Sequence, residues 1–249
     1  AILLGQLKRN VLVIDADIHL GNIDLLLGLK PEYTIADVVR GEVGVRRAIT
    51  RGPAGIDILS ASNAVEELLD MDETVLLKLA ESFSKFEHSY DVVVVDTGAG
   101  INRNVMSFVL GADKVIVVVT PDPASLADAY GVVKVLRRSR AEMPVVMVAS
   151  MIDSQEEAES LFKKMNLMMR KFLDTEIIFG GAVPIDSKII DSIRRRRPLV
   201  VEYPHSGPTA ALKVITGKLL HLPVSDAGRR SDFFSRFITH RKAAVELEP

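Results

Sequence analysis

Two carboxylates close the first apolar run of the chain. "VLVIDAD" places Asp15 and Asp17 where a β-strand gives way to a small polar turn. A third, Asp96, closes "DVVVVD", the most hydrophobic run in the sequence, and "TGAG" follows it directly. Acids at strand exits face a ligand, and here a metal or a metal-bound phosphate suits them. Mg²⁺ keeps much of its hydration shell and takes only one or two carboxylates. Glycines after Asp96 let backbone N–H groups approach an anion. Gly98 can turn sharply and donate to a terminal phosphate, and loss of that phosphate would release the loop. Asp17, further out, suits contact with an attacking water. Asp15 sits nearer the metal or orients the turn. His19 tempts as a base but, with no partner in view, is read as a loop residue.

An apolar strand ending in Asp is the Walker B arrangement, in which the carboxylate holds Mg²⁺, usually through a water. The plainer alternative is an Asp that caps the next turn, and "TGAG" favours the functional reading. No Gly-rich phosphate loop precedes Asp15. The first seven residues, "AILLGQL", read as the last turns of a helix already begun, so the sequence reads as a fragment.

Composition narrows the class. The 249 residues are 48% hydrophobic with a formal net charge of -2. One large α/β domain is the expectation, and near-neutral charge gives no global reason to bind nucleic acid. There is no cysteine, which excludes disulfides, thiolate zinc sites and Cys nucleophiles. No apolar run is long enough to span a membrane, and no signal-peptide pattern opens the sequence.

Strand-type runs recur at Val11–Ile14, Ile56–Leu59, Val92–Val95, Val115–Val119, Val145–Ala149 and Ile177–Phe179. The valine repeats suit strands buried on both faces, as in parallel sheets. Helical patterns lie between them: Glu66–Phe86, Ser125–Arg140 with Ser125 as N-cap, Gln155–Leu173, Ser187–Arg197 and Thr209–Leu220. In Gln155–Leu173, Leu161, Met165, Met168, Met169 and Phe172 form a core stripe. Strands alternating with helices predict an α/β, doubly wound, mostly parallel sheet with helices on both faces. Ligands of such sheets bind beyond the carboxyl ends of the strands. Those exits read "IDAD", "SAS", "VVDTGAG", "VVTPDP", "VASMIDS" and "AVPID". Residues 1–222 form the expected nucleotide-binding domain, and 223–249 a linker and tail.

"VLVIDADIHLGNIDLLLGLKPEYTIADVVRGE", "VVVVDTGAGINRNVMSF" and "TPDPASLADAYGVVK" resemble the MinD/ParA class of deviant Walker ATPases. "DTGAG" with "PDPASLADAY" is similar to its flagellar-number regulators, the FlhG/FleN (YlxH) type, from residue 1 to about 220. The resemblance implies a P-loop NTPase-like fold whose first strand and KGGxGKT-type phosphate loop lie upstream of Ala1. The chain without that segment is then expected not to hydrolyse ATP. ATP and Mg²⁺ are the implied cofactors. Asp17 matches the switch residue that positions the attacking water, and Asn22 a turn residue of the same switch. Asp96 matches the Mg²⁺-organising aspartate, with Asp15 beside it, and Gly98 lies in the second switch. Pro184 and Asp186 match the loop along the adenine. Where the family has an asparagine that pairs with the adenine edge, this sequence has Ser150, and a hydroxyl cannot pair as an amide does. The implied behaviour is an ATP-dependent homodimer at the inner face of the cell membrane. Its implied role is control of flagellar number or placement, with a signal-recognition-type GTPase as partner. A nucleotide-independent binding module, a division or partition ATPase of the same class, and a phosphoacceptor receiver are the alternatives.

Two surface features complete the reading. Arg194–Arg197 read as a solvated basic face at a helix end, or as a site for an anionic partner, with DNA less favoured. In the tail, "GRRSDFFSRFITHRK" puts Phe233, Phe234, Phe237 and Ile238 on one helical arc, with Arg229, Arg230, Arg236 and Lys242 mostly elsewhere. That is the pattern of an interfacial helix on an anionic membrane, although Arg241 falls inside the arc. Docking on the protein's own body is the alternative.

Overall fold

The computed structural model describes residues 1–17, 21–61, 80–85, 87–139, 142–222 and 233–245. His19, the linker 223–228 and most of the expected helix 66–86 lie outside the described residues. The chain divides into two units. One comprises Ala1–Gly98, Arg196–Pro198 and Arg230–Pro249, the other Ala99–Arg195 and Leu199–Arg229.

In the first unit, the opening residues form a short helix, α1 (Ile2–Gln6), as their pattern predicts. Its Gly5 lies against the turn before the third strand. A Cβ there would stand 2.8 Å from Ile56 and 2.9 Å from the Ala54 carbonyl. The sheet has strand order β2-β3-β1-β4. β1 (Val11–Asp15), β3 (Asp57–Leu59) and β4 (Val92–Asp96) are parallel, with β1 between the other two. β2 (Ile49–Arg51) adds antiparallel to β3. No expectation covered β2, because three residues, "ITR", are too few to show a period of two. α2 (Ile23–Leu27) and α3 (Ile35–Val39) follow the β1 exit. Leu4, Val11, Val13, Ile23, Ile56 and Ile58 make one core beneath them.

The tail also belongs to this unit. α10 (Phe233–Val245) buries Phe233, Phe234 and Phe237. The Phe234 ring stacks on Phe83, with centroids 4.8 Å apart and planes 9° from parallel. The expected apolar arc is therefore real, and it is seated on the protein's own body.

The second unit holds a parallel sheet of order β5-β6-β7. Its strands are β5 (Val115–Val119), β6 (Val145–Ile152) and β7 (Ile178–Pro184). Around them lie α4 (Arg103–Gly111), α5 (Pro123–Ser139), α6 (Gln155–Leu173), α7 (Ser187–Arg194), α8 (Leu199–Glu202) and α9 (Gly207–His221). Val119, Val133, Leu136, Met147, Met165 and Met169 lie in its core.

Four details differ from expectation. α5 starts two residues early, and its cap is Asp122, whose carboxylate accepts from Ser125 N–H at 2.8 Å. The Ser125 hydroxyl instead accepts from Thr120 N–H at 3.0 Å. α7 stops at Arg194 because Arg196 takes a left-handed φ of 54° and Pro198 disfavours helix at the residue before it. β4 and β5 are not buried on both faces. β4 is half-buried from Val92 to Val95, and β5 alternates, with Ile116 and Val118 exposed. Each ends its sheet among the described strands, so each is covered less than β1 and β6. Finally, Met165 and Met169 are buried as the stripe on α6 predicts, but Phe172 is 62% exposed.

Arg194–Arg197 are exposed. Arg195 is engaged with Asp191 at 2.6 Å and with Glu202 at 3.6 Å.

Candidate nucleotide site at the strand exits

The exits of β1 and β4 are in register, with Asp15 opposite Asp96. Ala16 N–H donates to the Asp96 carbonyl at 2.7 Å, so the pairing runs one step beyond the strands and fixes both turns together. Asp15 is 1% exposed. Its two oxygens accept backbone N–H groups, Oδ1 from Asp17 and Oδ2 from Ile23, each at 3.3 Å. These bonds tie Asp17 and the start of α2 to the strand end. Gly21 is required there, since a Cβ would stand 2.8 Å from Asp15 Oδ2 and 2.5 Å from Ala61.

Burial pushes the Asp15 carboxyl up to about 6. The two N–H donors oppose the shift, and the Asp96 and Asp17 charges add to it. The Asp96 carboxyl is also raised, by desolvation first and then by the Asp17 charge. Desolvation and the mutual repulsion of the carboxylates thus hold both groups above the ordinary range. A divalent cation would relieve that repulsion, so the donor set fits Mg²⁺.

Asp17 reaches the turn after β4. A Cβ on Gly98 would lie 3.1 Å from Asp17 Oδ1. The outer carboxylate of the first turn therefore lies beside the glycine of the second. Asn22 starts α2 and is exposed, and its side chain makes no capping bond. So Asp15, Asp17, Asp96 and Gly98 come together, with Asn22 at the mouth of α2.

Sequence reasoning passed over Ser60, although it named the exit "SAS". Ser60 follows β3, is buried, and its hydroxyl has no hydrogen-bond partner among the described residues. One residue beyond Leu59, which pairs with Ile14, it stands at the same strand exits.

In the second unit, Ser150 pairs in register with Val183 on β7, and Ile152 with Pro184. Asp186 caps α7 by accepting from Lys188 N–H at 2.8 Å. β6 and β7 thus bring Ser150, Pro184 and Asp186 to the same end of this sheet.

Mostly parallel sheets with acids and a glycine at neighbouring strand exits are the arrangement of α/β nucleotide-binding folds. No family model matches the sequence. The antiactivator FleN of Pseudomonas aeruginosa is 33% identical over 242 residues, covering 96% of this chain and 86% of FleN. The flagellum site-determining protein YlxH of Helicobacter pylori is 26% identical over 235 residues, covering 92% and 79%. Among solved structures, the septum site-determining protein MinD of Pyrococcus horikoshii, complexed with Mg-ADP, superposes with a TM-score of 0.73 at 23% identity. That match covers 91% of this chain and 88% of MinD. The chain belongs to the FleN/YlxH family of the MinD/ParA class of ATPases.

Proposed function

We propose that this chain is the body of an ATP-dependent switch that controls flagellar number or placement. The contact between Asp17 and Gly98 is the observation that carries the reading. A residue that positions water and a loop that senses the terminal phosphate would both face the same phosphate, and their closeness suits that.

Mg-ATP would supply the terminal phosphate and the charge that organises it. Asp96 is the residue to hold Mg²⁺, with Asp15 beside it keeping the first turn in place through the N–H groups of Asp17 and Ile23. Asp17 orients the water, and Gly98 turns its N–H toward the phosphate. Asn22, at the start of α2, belongs to the same switch as Asp17. In the second unit, Ser150, Pro184 and Asp186 are the residues for the adenine. Ser150 carries one hydroxyl, so its hold on the base is weaker than a bidentate amide.

The same reading gives the tail its part. Two subunits closed on ATP would each release α10 to an anionic membrane at the inner face of the cell, and hydrolysis would reseat it. Apolar insertion by Phe233, Phe234 and Phe237 would combine with the attraction of Arg236 to lipid. One such helix binds weakly, and two on a dimer gain by effective concentration. DNA has no part in this reading, and a flagellar GTPase of signal-recognition type is the partner we propose.

Sedimentation of the whole gene product with anionic liposomes tests the proposal. Pelleting should increase with ATP over ADP and fall for Phe237→Glu. Equal pelleting with either nucleotide, for both proteins, would remove the membrane from the account.

A further inference from the structure

The switch leaves Ser60 without a role, yet its surroundings are unusual. The residue is 1% exposed, and its hydroxyl has no hydrogen-bond partner among the described residues. Buried hydroxyls are ordinarily bonded, because an unpaired one keeps its full desolvation penalty. Two buried serines of the second unit follow that rule. Ser192 donates to the Ile189 carbonyl at 2.7 Å, and Ser206 to the Tyr203 carbonyl at 2.9 Å.

The register says what Ser60 lies beside. Leu59 on β3 pairs with Ile14 on β1, so Ser60 stands one step on, level with Asp15. Asp15 in turn pairs with Asp96 on β4. Register neighbours in a sheet turn their side chains to the same face. Ser60, Asp15 and Asp96 thus form a row across three neighbouring strand exits. The row runs inward, from exposed Asp96 to Asp15 and Ser60, each 1% exposed. Gly21 packs into the same corner, since a Cβ on it would meet both Asp15 Oδ2 and Ala61, the residue after Ser60. The main chain is pinned here, because the Ser60 carbonyl accepts from Ile35 N–H at 3.0 Å.

An ionised carboxylate has about four lone-pair sites. Asp15 offers them to the N–H groups of Asp17 and Ile23, and each of those bonds is long, at 3.3 Å. A carboxylate with acceptor capacity to spare therefore stands level with a buried donor, and the two are not bonded to each other. We propose, on the reading of the strand exits as a Mg²⁺-nucleotide site, that Ser60 is a positioning residue there. When the ion is bound, the Ser60 hydroxyl donates to the Asp15 carboxylate and fixes its orientation beside the ion. Ser60 acts through Asp15, since it lies at the inner end of the row. The desolvation penalty that the hydroxyl carries in the unliganded protein is then relieved on binding, which couples the ion to the β3 exit.

Calorimetry on the whole gene product tests this through the ratio of the ADP Kd in EDTA to the ADP Kd in Mg²⁺. Ser60→Ala should lower that ratio about three- to tenfold, as loss of one hydrogen bond does. It should leave ADP binding in EDTA unchanged and the unliganded protein no less stable. Ser60→Cys keeps the shape of the side chain but donates weakly, so it should lose as much as Ser60→Ala. In an Asp15→Asn background the effect of Ser60→Ala should shrink, because the bond runs through Asp15. An unchanged ratio in Ser60→Ala would overturn the proposal. So would a wild-type ratio in Ser60→Cys, which would make the effect one of packing, or an undiminished effect in the Asp15→Asn background. A ratio near one in the wild type is a different failure, since it would remove the Mg²⁺ site itself and Ser60's part with it.

Discussion

Asp15 holds its turn at an electrostatic cost. Its carboxyl titrates near 6 in the folded protein against an ordinary 3.8. Between those values the folded state keeps a proton that the unfolded chain has lost. The group's contribution to stability is therefore complete below about pH 4 and lost as pH rises through 6. Relative to Asp15→Asn, the wild type should lose on the order of 2–3 kcal/mol between pH 4 and pH 7. Urea unfolding at several pH values measures this difference, and a pH-independent difference would contradict the assignment. Ser60 gives the opposite kind of test. A buried hydroxyl without a partner keeps its desolvation penalty. Ser60→Ala should leave stability unchanged or raise it by up to about 1 kcal/mol. A loss above that in thermal unfolding would mean the hydroxyl is bonded. At this scale the acids were legible because a carboxylate after an apolar run is conspicuous. Ser60 was not, since its meaning depends on the register of β3 against β1, which no local pattern carries.

Among elements, α6 was legible to the residue. Nineteen residues of apolar periodicity leave little freedom for its ends, and the structure adds Ser154 as its cap. Short elements were not: β2 has three residues and depends wholly on its pairing with β3. Burial was readable where a strand lies inside its sheet, as β1 and β6 do, and misread where it lies at the end, as β4 and β5 do. The tail shows the same limit. Four apolar residues on an arc demand a cover, but the sequence does not name it, and the structure supplies Phe83. Phe234→Ala should destabilise the first unit by roughly 3–5 kcal/mol if that stack is held as observed. Chemical unfolding would measure it, and a change below about 1 kcal/mol would show α10 to be loosely seated. The same variant should also dock less and expose its remaining apolar face to membrane.

On the scale of the whole molecule, a mostly parallel and a parallel sheet carry two groups of candidate site residues. Asp15, Asp17, Asp96 and Gly98 are in the first unit, and Ser150, Pro184 and Asp186 in the second. The alternation of strands and helices made the fold class readable, while the division into units depends on long-range contacts that periodicity does not encode. Membership of the FleN/YlxH family gives the molecule an ATPase lineage, and the contact of Asp17 with Gly98 gives that lineage a mechanism to test. A group that orients water acts mainly in the transition state, so its loss should spare binding and slow turnover. The decisive measurement is made on the whole gene product with Asp17→Ala, combining ATP affinity, phosphate release and mass by light scattering. The account predicts ATP affinity within about threefold of wild type, turnover reduced by about 10²-fold or more, and accumulation of an ATP-bound dimer. Loss of ATP binding together with turnover would make Asp17 a metal or structural residue and contradict the role assigned to it.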